Sequence, residues 1–342
     1  MVNILSKIKG NLSREKFCVG LDIGTSAIKI VKLKIAKDAV ELCGFDIEPV
    51  GLESQEVLKK LRQSQTGGLV NISVSGEQTV IRYANFPKMN DSELRQALKF
   101  EAQKHIPFSI AEVNLDGYIL RDDLADNKML VLIAAAKKDL IVSRLKLIES
   151  AGFTANLVDM DSIALVNAFI FNNPSVDSGH KTVALLNIGA SISNLDILEA
   201  GSPRLSRDMH IASSTFTKKI MDTLSLDFNN ADNLKINPES DAQNLNKIKA
   251  AVESVLSNLA VEIRTSFDYY ESQNASAVSK IFLSGAGIKF NGLKDMLAHL
   301  LGIEVDYWDP LQRIQINEAL GVEKVKAVSG QLAVALGLAL RS

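Results

Sequence analysis

Three short glycine turns carry the residues whose types and spacing suit phosphate chemistry. In the first, VGLDIGTSAIKIVKL (Val19–Leu33), Asp22 precedes Gly24, Thr25 and Ser26, and Lys29 follows. Glycine lets a ligand approach the backbone, the two hydroxyls stand beside exposed amides, and the ammonium adds positive charge; that set suits a phosphate group. The second, VALLNIGASISNLDILEAG (Val183–Gly201), repeats the pattern, with Asn187 at the place of Asp22, Gly189 at Gly24, Ala190 at Thr25 and Ser191 at Ser26. A lone copy reads equally well as an ordinary type I′ or II′ hairpin turn. Two copies, one in each half of the chain, suggest two related lobes that hold a nucleotide between them. The third turn, KIFLSGAGIKFNGL (Lys280–Leu293), runs from a strand at Ile281–Leu283 through a loop at Ser284–Gly287, with Gly285 and Gly287, into a helix expected over Asn291–Leu301. Such a turn can bring a helix N-terminus to an anion, although many βα turns look the same. No residue stands out as a catalytic acid, base or nucleophile.

The elements around these turns are legible from periodicity. Ile28, Ile30 and Leu33 after the first turn, and Ile192, Leu195 and Ile197 after the second, suit strands with one buried face. Asn90 or Asp91 can cap a helix whose apolar stripe is Leu94, Ala97, Leu98, Ala102 and Ile106, stopped by Pro107. Val113–Leu120 and Met129–Ala136 read as strands, and Lys137–Ala151 as a helix ending at Gly152. Together they make an αββα unit between Phe86 and Gly152. Leu245, Ile248, Val252, Val255, Leu259, Ile263, Phe267 and Tyr270 form the stripe of a long core helix. Asp161, in VDMDSIAL, reads as a helix N-cap, and AVALGLALRS at the end reads as a core helix.

Composition excludes several function classes. The 342 residues are 46% hydrophobic and 23% charged, ordinary globular values, and are long for one core. A net charge of -2 without a basic block gives no general affinity for nucleic acid. Cys18 and Cys43 make no disulfide framework, so a reducing cytoplasm is the simplest home. The longest apolar runs, Met129–Ala136 and Leu332–Leu340, fall short of the ~20 residues a membrane-spanning helix needs. The N-terminal MVNILSKIKGNLSREK reads as a frayed amphipathic start rather than a signal peptide. The four histidines are dispersed, without ligand-like spacing.

The turns and their order resemble the superfamily of sugar kinases, heat-shock chaperones and actin. Within it, FPKMNDSELRQALKFEAQKHIPFSIAEVNLD (Phe86–Asp116) and QLAVALGLALRS (Gln331–Ser342) look like the PilM family of FtsA-like type IV pilus assembly proteins. Pro87–Met89, Glu101–Ala102 and Ile106–Phe108 carry that likeness most specifically, and it runs from about Cys18 to the end. The resemblance implies an α/β, bilobed actin-like (ribonuclease H-like) fold with an inserted FtsA-type 1C subdomain. It places an extension at 1–16, subdomain 1A at 17–85 with 153–180 and 321–342, and 1C at 86–152. Subdomain 2A falls at 181–220 with 277–320 and 2B at 221–276. It also implies ATP with Mg²⁺, the first two turns holding phosphates and the third supporting adenosine. Asp22 then serves the metal shell indirectly. Asp232 and Lys235, solvated charges by spacing alone, become candidates for ribose and adenine, because Ala231–Lys235 resembles an Ala-Glu-x-x-Lys element.

The expected role is an adaptor at the cytoplasmic face of the inner membrane. It docks the N-terminal cytoplasmic tail of the membrane protein PilN at the 1A–1C junction, works with other pilus assembly components, and associates with the membrane only indirectly. The alternatives are an active ATPase or small-molecule kinase, and an FtsA-like filament-forming division protein. Hydrolysis is expected to be very slow or absent, since Asn187 stands where hydrolysing relatives have aspartate, and Asn187→Asp is expected to raise turnover if the rest of the site is intact. Ser213, Ser214 and Ala286 add bulk where the family has glycine, and Asp161 lies near the position that orients water in active relatives.

Overall fold

The computed structural model describes residues 15–341 apart from 38, 52, 65–67, 175–181 and 290–291. The expected N-terminal extension lies outside the described residues except for Glu15 and Lys16. The described chain opens with an antiparallel meander, β1 (Lys16–Ile23), β2 (Ala27–Ile35) and β3 (Val40–Pro49). Helix α1 (Ser54–Ser64) then carries it to β4 (Leu69–Val74), parallel to β1. Next come β5 (Thr79–Pro87), α2 (Asp91–Glu101), β6 (Val113–Leu124) and β7 (Lys128–Lys137), which build a separate antiparallel sheet in the order β5-β7-β6. Helix α3 (Lys138–Ser150) returns to β8 (Thr154–Met160), parallel to β4, and α4 (Asp161–Asn172) leads on. A second meander follows: β9 (Thr182–Ile188), β10 (Ser193–Glu199) and β11 (Ser202–Met209). Helices α5 (Ser213–Leu224), α6 (Phe228–Ile236) and α7 (Leu245–Gln273) precede β12 (Val278–Ser284), and α8 (Leu293–Leu301) precedes β13 (Glu304–Tyr307); both strands run parallel to their neighbours. The chain returns to the first sheet through β14 (Gln315–Ile316), α9 (Val322–Lys326) and α10 (Ala333–Ala339).

The strand orders explain the echo in the sequence. The first sheet runs β14-β3-β2-β1-β4-β8 and the second β11-β10-β9-β12-β13. Without β14 the two orders are the same: a meander on one side, then two parallel strands reached by helical crossovers. Each glycine hairpin joins the first two strands of its meander.

Packing between lobes and insertion follows the apolar patterns. The capping box of α2 is complete: Asn90 Oδ1 accepts from the amides of Ser92 (2.9 Å) and Glu93 (3.0 Å), and the Glu93 carboxylate accepts from the Asn90 amide. Leu94, Leu98, Ala102 and Ile106 then lie buried against the β5-β7-β6 sheet. This sheet begins at Thr79 rather than at residue 86, because Val80, Ala84 and Phe86 alternate into the same core. Helix α3 belongs on the other side of the boundary, since Ile148 and Ala151 pack with Leu58 and Leu61 of α1 in the first-lobe core. The α7 stripe is buried from Ile248 through Tyr270 against the second sheet. At ~1.5–3 kcal/mol for each large apolar side chain removed from water, that face alone holds α7 in place. Helix α8 starts at Leu293, after a short 3₁₀ turn over Ala286–Lys289, rather than at Asn291.

Candidate functional site

Both hairpin tips are four-residue turns. The Gly24 amide donates to the Ala27 carbonyl at 3.2 Å and the Gly189 amide to the Ile192 carbonyl at 3.1 Å. None of the central residues Thr25, Ser26, Ala190 and Ser191 has a positive φ, so these are not the primed turns expected of an ordinary hairpin. Glycine is needed there for space: an added Cβ would stand 2.9 Å from the Ala27 carbonyl oxygen at Gly24, and 2.5 Å from that of Ile192 at Gly189. The tips meet across the cleft, where Thr25 Oγ1 and Ser191 Oγ share a 2.7 Å hydrogen bond. Among the described residues, the amides of Thr25, Ser26, Ala190 and Ser191 make no hydrogen bond within the chain.

Behind the first tip stands an ion pair. Lys29 Nζ donates to Asp22 Oδ2 at 2.9 Å, and both side chains are largely buried. Burial works against the ammonium, but the charge and hydrogen bond of Asp22, with Asp161 nearby, outweigh it and hold the Lys29 pKa above its usual value. Asp161 is the first residue of α4 rather than its cap; the N-cap position is Met160 and carries no side-chain cap bond. The Asp161 carboxyl bonds instead to the Ser73 and Ser75 hydroxyls at the end of β4. Burial first, then the nearby Asp22 charge, pushes its pKa up to about 6.

That shift fixes the sign of a pH effect. A carboxyl whose pKa is higher folded than unfolded binds more protons in the folded state, so stability falls as pH rises from its ordinary value of 3.8 to about 6. Asp161→Asn is therefore expected to be more stable than the parent at pH 7, by on the order of 1–3 kcal/mol, and equal to it near pH 4. Thermal melts of both proteins across this range check it. Parallel pH profiles would contradict it.

The second hairpin is held by a chain of amides. Asn187 Oδ1 accepts from Ser284 Oγ at 3.2 Å, Asn187 Nδ2 donates to Asn194 Oδ1 at 3.0 Å, and Asn194 Nδ2 donates to Asp208 Oδ1 at 2.8 Å. Asp208 Oδ2 accepts from the Gly76 amide of the first lobe at 2.8 Å. A carboxylate can only accept, so Asn194 must spend its donors on Asp208 and present its oxygen to residue 187, which must donate. An aspartate at 187 cannot do so. This side chain is buried in the second lobe and engaged on both sides, by Asn194 and by Ser284. Asn194 and Asp208 were missed in the sequence. The available signal for Asn194 was a polar residue inside the otherwise apolar SNLDILE of β10, whereas Asp208 sits in the largely polar SPRLSRDM of β11.

The remaining candidates gather around this hairpin. The amides of Ser213 and Ser214, at the start of α5, donate to the carbonyls of Gly189 (3.0 Å) and Ala190 (2.9 Å). Lys235 is 7% exposed, and its ammonium donates to Ser213 Oγ, Thr217 Oγ1 and Asp232. Lys235 is thus a buried charge held in a polar cluster, and its partner Asp232 is half-buried at the edge of it. Gly285, with φ +98°, and Gly287 both pack against Ile188 at the end of β9, so a side chain at either would meet the second hairpin.

A second feature lies beside the insertion. Strand β6 is an edge of its sheet and β8 an edge of the first sheet, and a groove of 430 Å³ runs between them. Its walls include Leu115, Tyr118 and Ala134 of the insertion and Leu157 of β8, and Ser206 of β11 reaches it from the second lobe. At one end Arg341 Nε sits 3.1 Å from Asp159 Oδ2. Among the described residues no helix is long and apolar enough to cross a membrane.

Comparison with known proteins agrees with this architecture. A solved PilM–PilN type IV pilus biogenesis complex matches 95% of this chain and 98% of its own, with a TM-score of 0.82 and 24% identity. The ethanolamine utilization protein EutJ from Carboxydothermus hydrogenoformans matches 97% of this chain and 92% of its own, with a TM-score of 0.54 and 13% identity. The two lobes form the bilobed actin-like fold. A family profile described as type IV pilus assembly protein PilM spans residues 20–342, nearly the whole chain with both hairpins, the insertion and the terminal helix, and the chain belongs to that family.

Proposed function

We propose that the chain is a type IV pilus assembly adaptor that docks the N-terminal cytoplasmic tail of a PilN-like inner-membrane protein in the groove between β6 and β8. The observation that carries this reading is the groove itself, between two strand edges that pair with no further strand among the described residues, in a family with a solved similar structure that is a complex with PilN. An edge strand offers a row of unpaired N–H and C=O groups that an extended segment can complete, while apolar positions such as Leu115 and Ala134 take its side chains. Docking of this kind holds the protein at the cytoplasmic face of the inner membrane through its partner. A binding titration of the full-length protein with a synthetic peptide of that tail tests it.

The cleft supports nucleotide binding with little chemistry. Unpaired amides at both tips, the Thr25, Ser26 and Ser191 hydroxyls and the Lys29 ammonium fit the phosphates of ATP. Entry of a phosphate would replace the Thr25–Ser191 hydrogen bond. Among the described residues no group of three or more His, Cys, Asp or Glu is placed to hold a metal ion, so Mg²⁺ would come with the phosphates, with Asp22 beside it. Because Asn187 is tied to Asn194 and Ser284, hydrolysis is expected to be very slow. Asn187→Asp is expected to lower stability by about 1–3 kcal/mol, the cost of an unsatisfied buried group, without raising phosphate release. A thermal melt run alongside a phosphate-release assay checks both. Faster release at unchanged stability would favour the alternative, an active ATPase.

A further inference from the structure

The floor of the groove is also a seam between lobes. Tyr83 OH, on β5 of the insertion, bonds to Ser206 Oγ on β11 of the second lobe at 2.7 Å. Ser206 Oγ donates in turn to Asp196 Oδ1 at 2.5 Å, so Tyr83 is the donor to Ser206. Asp196 is fully buried, and among the described residues its other carboxyl oxygen has no hydrogen-bond partner. Breaking the Ser206 bond therefore takes a close side-chain donor from that buried carboxyl and leaves it to Ser162, a costly change for a buried polar group. Burial also keeps the Asp196 and Tyr83 pKa values above their usual ranges, which favours the neutral, hydrogen-bonded forms.

Side chains two residues apart on a strand share one face. Two positions beyond Ser206, on that face, stands Asp208, which holds the Gly76 amide and the Asn194–Asn187–Ser284 chain. Among the described residues strand β11 ends the second sheet beside β10, and across the lobes it meets β5 and the Gly76 turn through Ser206 and Asp208. One strand thus touches the groove at Pro203 and Ser206, and holds the second hairpin two residues farther on.

We propose that strand β11 couples the groove to the glycine-turn cleft, so that occupancy of the groove alters the hold of Asp208 on the Gly76 turn and on the second hairpin. This rests on the reading of the groove as a docking site. Tyr83 is a positioning residue in this coupling: it acts on the cleft only through Ser206.

The test is hydrogen exchange on the full-length protein and on Tyr83→Phe, which removes one hydroxyl and keeps the ring. Without any ligand, the variant is expected to exchange the Gly76 amide and the Asn187–Ile192 segment roughly 2- to 30-fold faster, the range of measured couplings through packed networks, while α7 is unchanged. Exchange equal to the parent at both turns overturns the coupling, and so does an equal rise in α7, which would mark a general loss of stability. In a second arm, the PilN-tail peptide is expected to change exchange at Gly76 in the parent and not in Tyr83→Phe. A peptide that binds and leaves Gly76 exchange unchanged overturns the coupling but not the docking. A peptide that fails to bind counts against the docking reading, and the ligand-free comparison still decides the coupling.

Discussion

Gly337→Val is expected to yield no folded protein, and Gly337→Ala a protein destabilised by about 3 kcal/mol or more. Helix α10 is buried along its whole length, between α4 and β1. A Cβ on Gly337 would fall far inside van der Waals contact distance of the Ala164 carbonyl oxygen, and one on Gly20 far inside that of Ala335. Both obstructing atoms are backbone, so no side chain can swing away, and the helix must lift off the strand or off its neighbour. Lifting it uncovers Leu332, Leu336 and Leu340 of the first-lobe core. Overpacking a core typically costs about 1–3 kcal/mol where side chains can adjust, and more where they cannot, against a total stability of about 5–15 kcal/mol. Circular-dichroism melts of Gly337→Ala decide it. A melting temperature equal to the parent would contradict so close a crossing.

Much of this architecture was legible in the chain. The paired meanders appeared as a repeated glycine pattern because each hairpin is a local structure, and the cap and stripe of α2 were visible because capping and helical periodicity act within a few turns. What escaped was set by long-range packing. Gly24 and Gly189 signal a tight turn, but only the fold shows that they are needed for space rather than for a positive φ. Asn187 looked like a lost catalytic carboxylate when compared with relatives, and its actual partners, Asn194 and Ser284, lie on β10 and β12. Strand β5 escaped the insertion for the same reason: its alternation reads as a strand, but which sheet it joins depends on pairing with β7. The groove left no local signal, since it is made by strand edges that the sequence does not juxtapose.

Ala134→Trp is expected to weaken binding of the PilN-tail peptide roughly ten-fold or more with little change in melting temperature, since blocking the centre of an interface commonly costs above 1 kcal/mol. Along the central strand β7, Val131, Ile133 and Ala135 face α2, whereas Leu130, Leu132, Ala134 and Ala136 face the other side, toward the groove. Ala134 is half-buried and lines the groove, so an indole there fills space meant for the peptide without entering the α2 core. Fluorescence anisotropy with a labelled peptide measures the loss. Retained affinity in the folded variant would move the docking site elsewhere.

The most direct measurement is a structure of the full-length chain with the PilN-tail peptide bound. The account predicts an extended peptide between the edges of β6 and β8, its apolar side chains over Ala134 and Leu157. A peptide seated on any other surface, with this groove open, would contradict it.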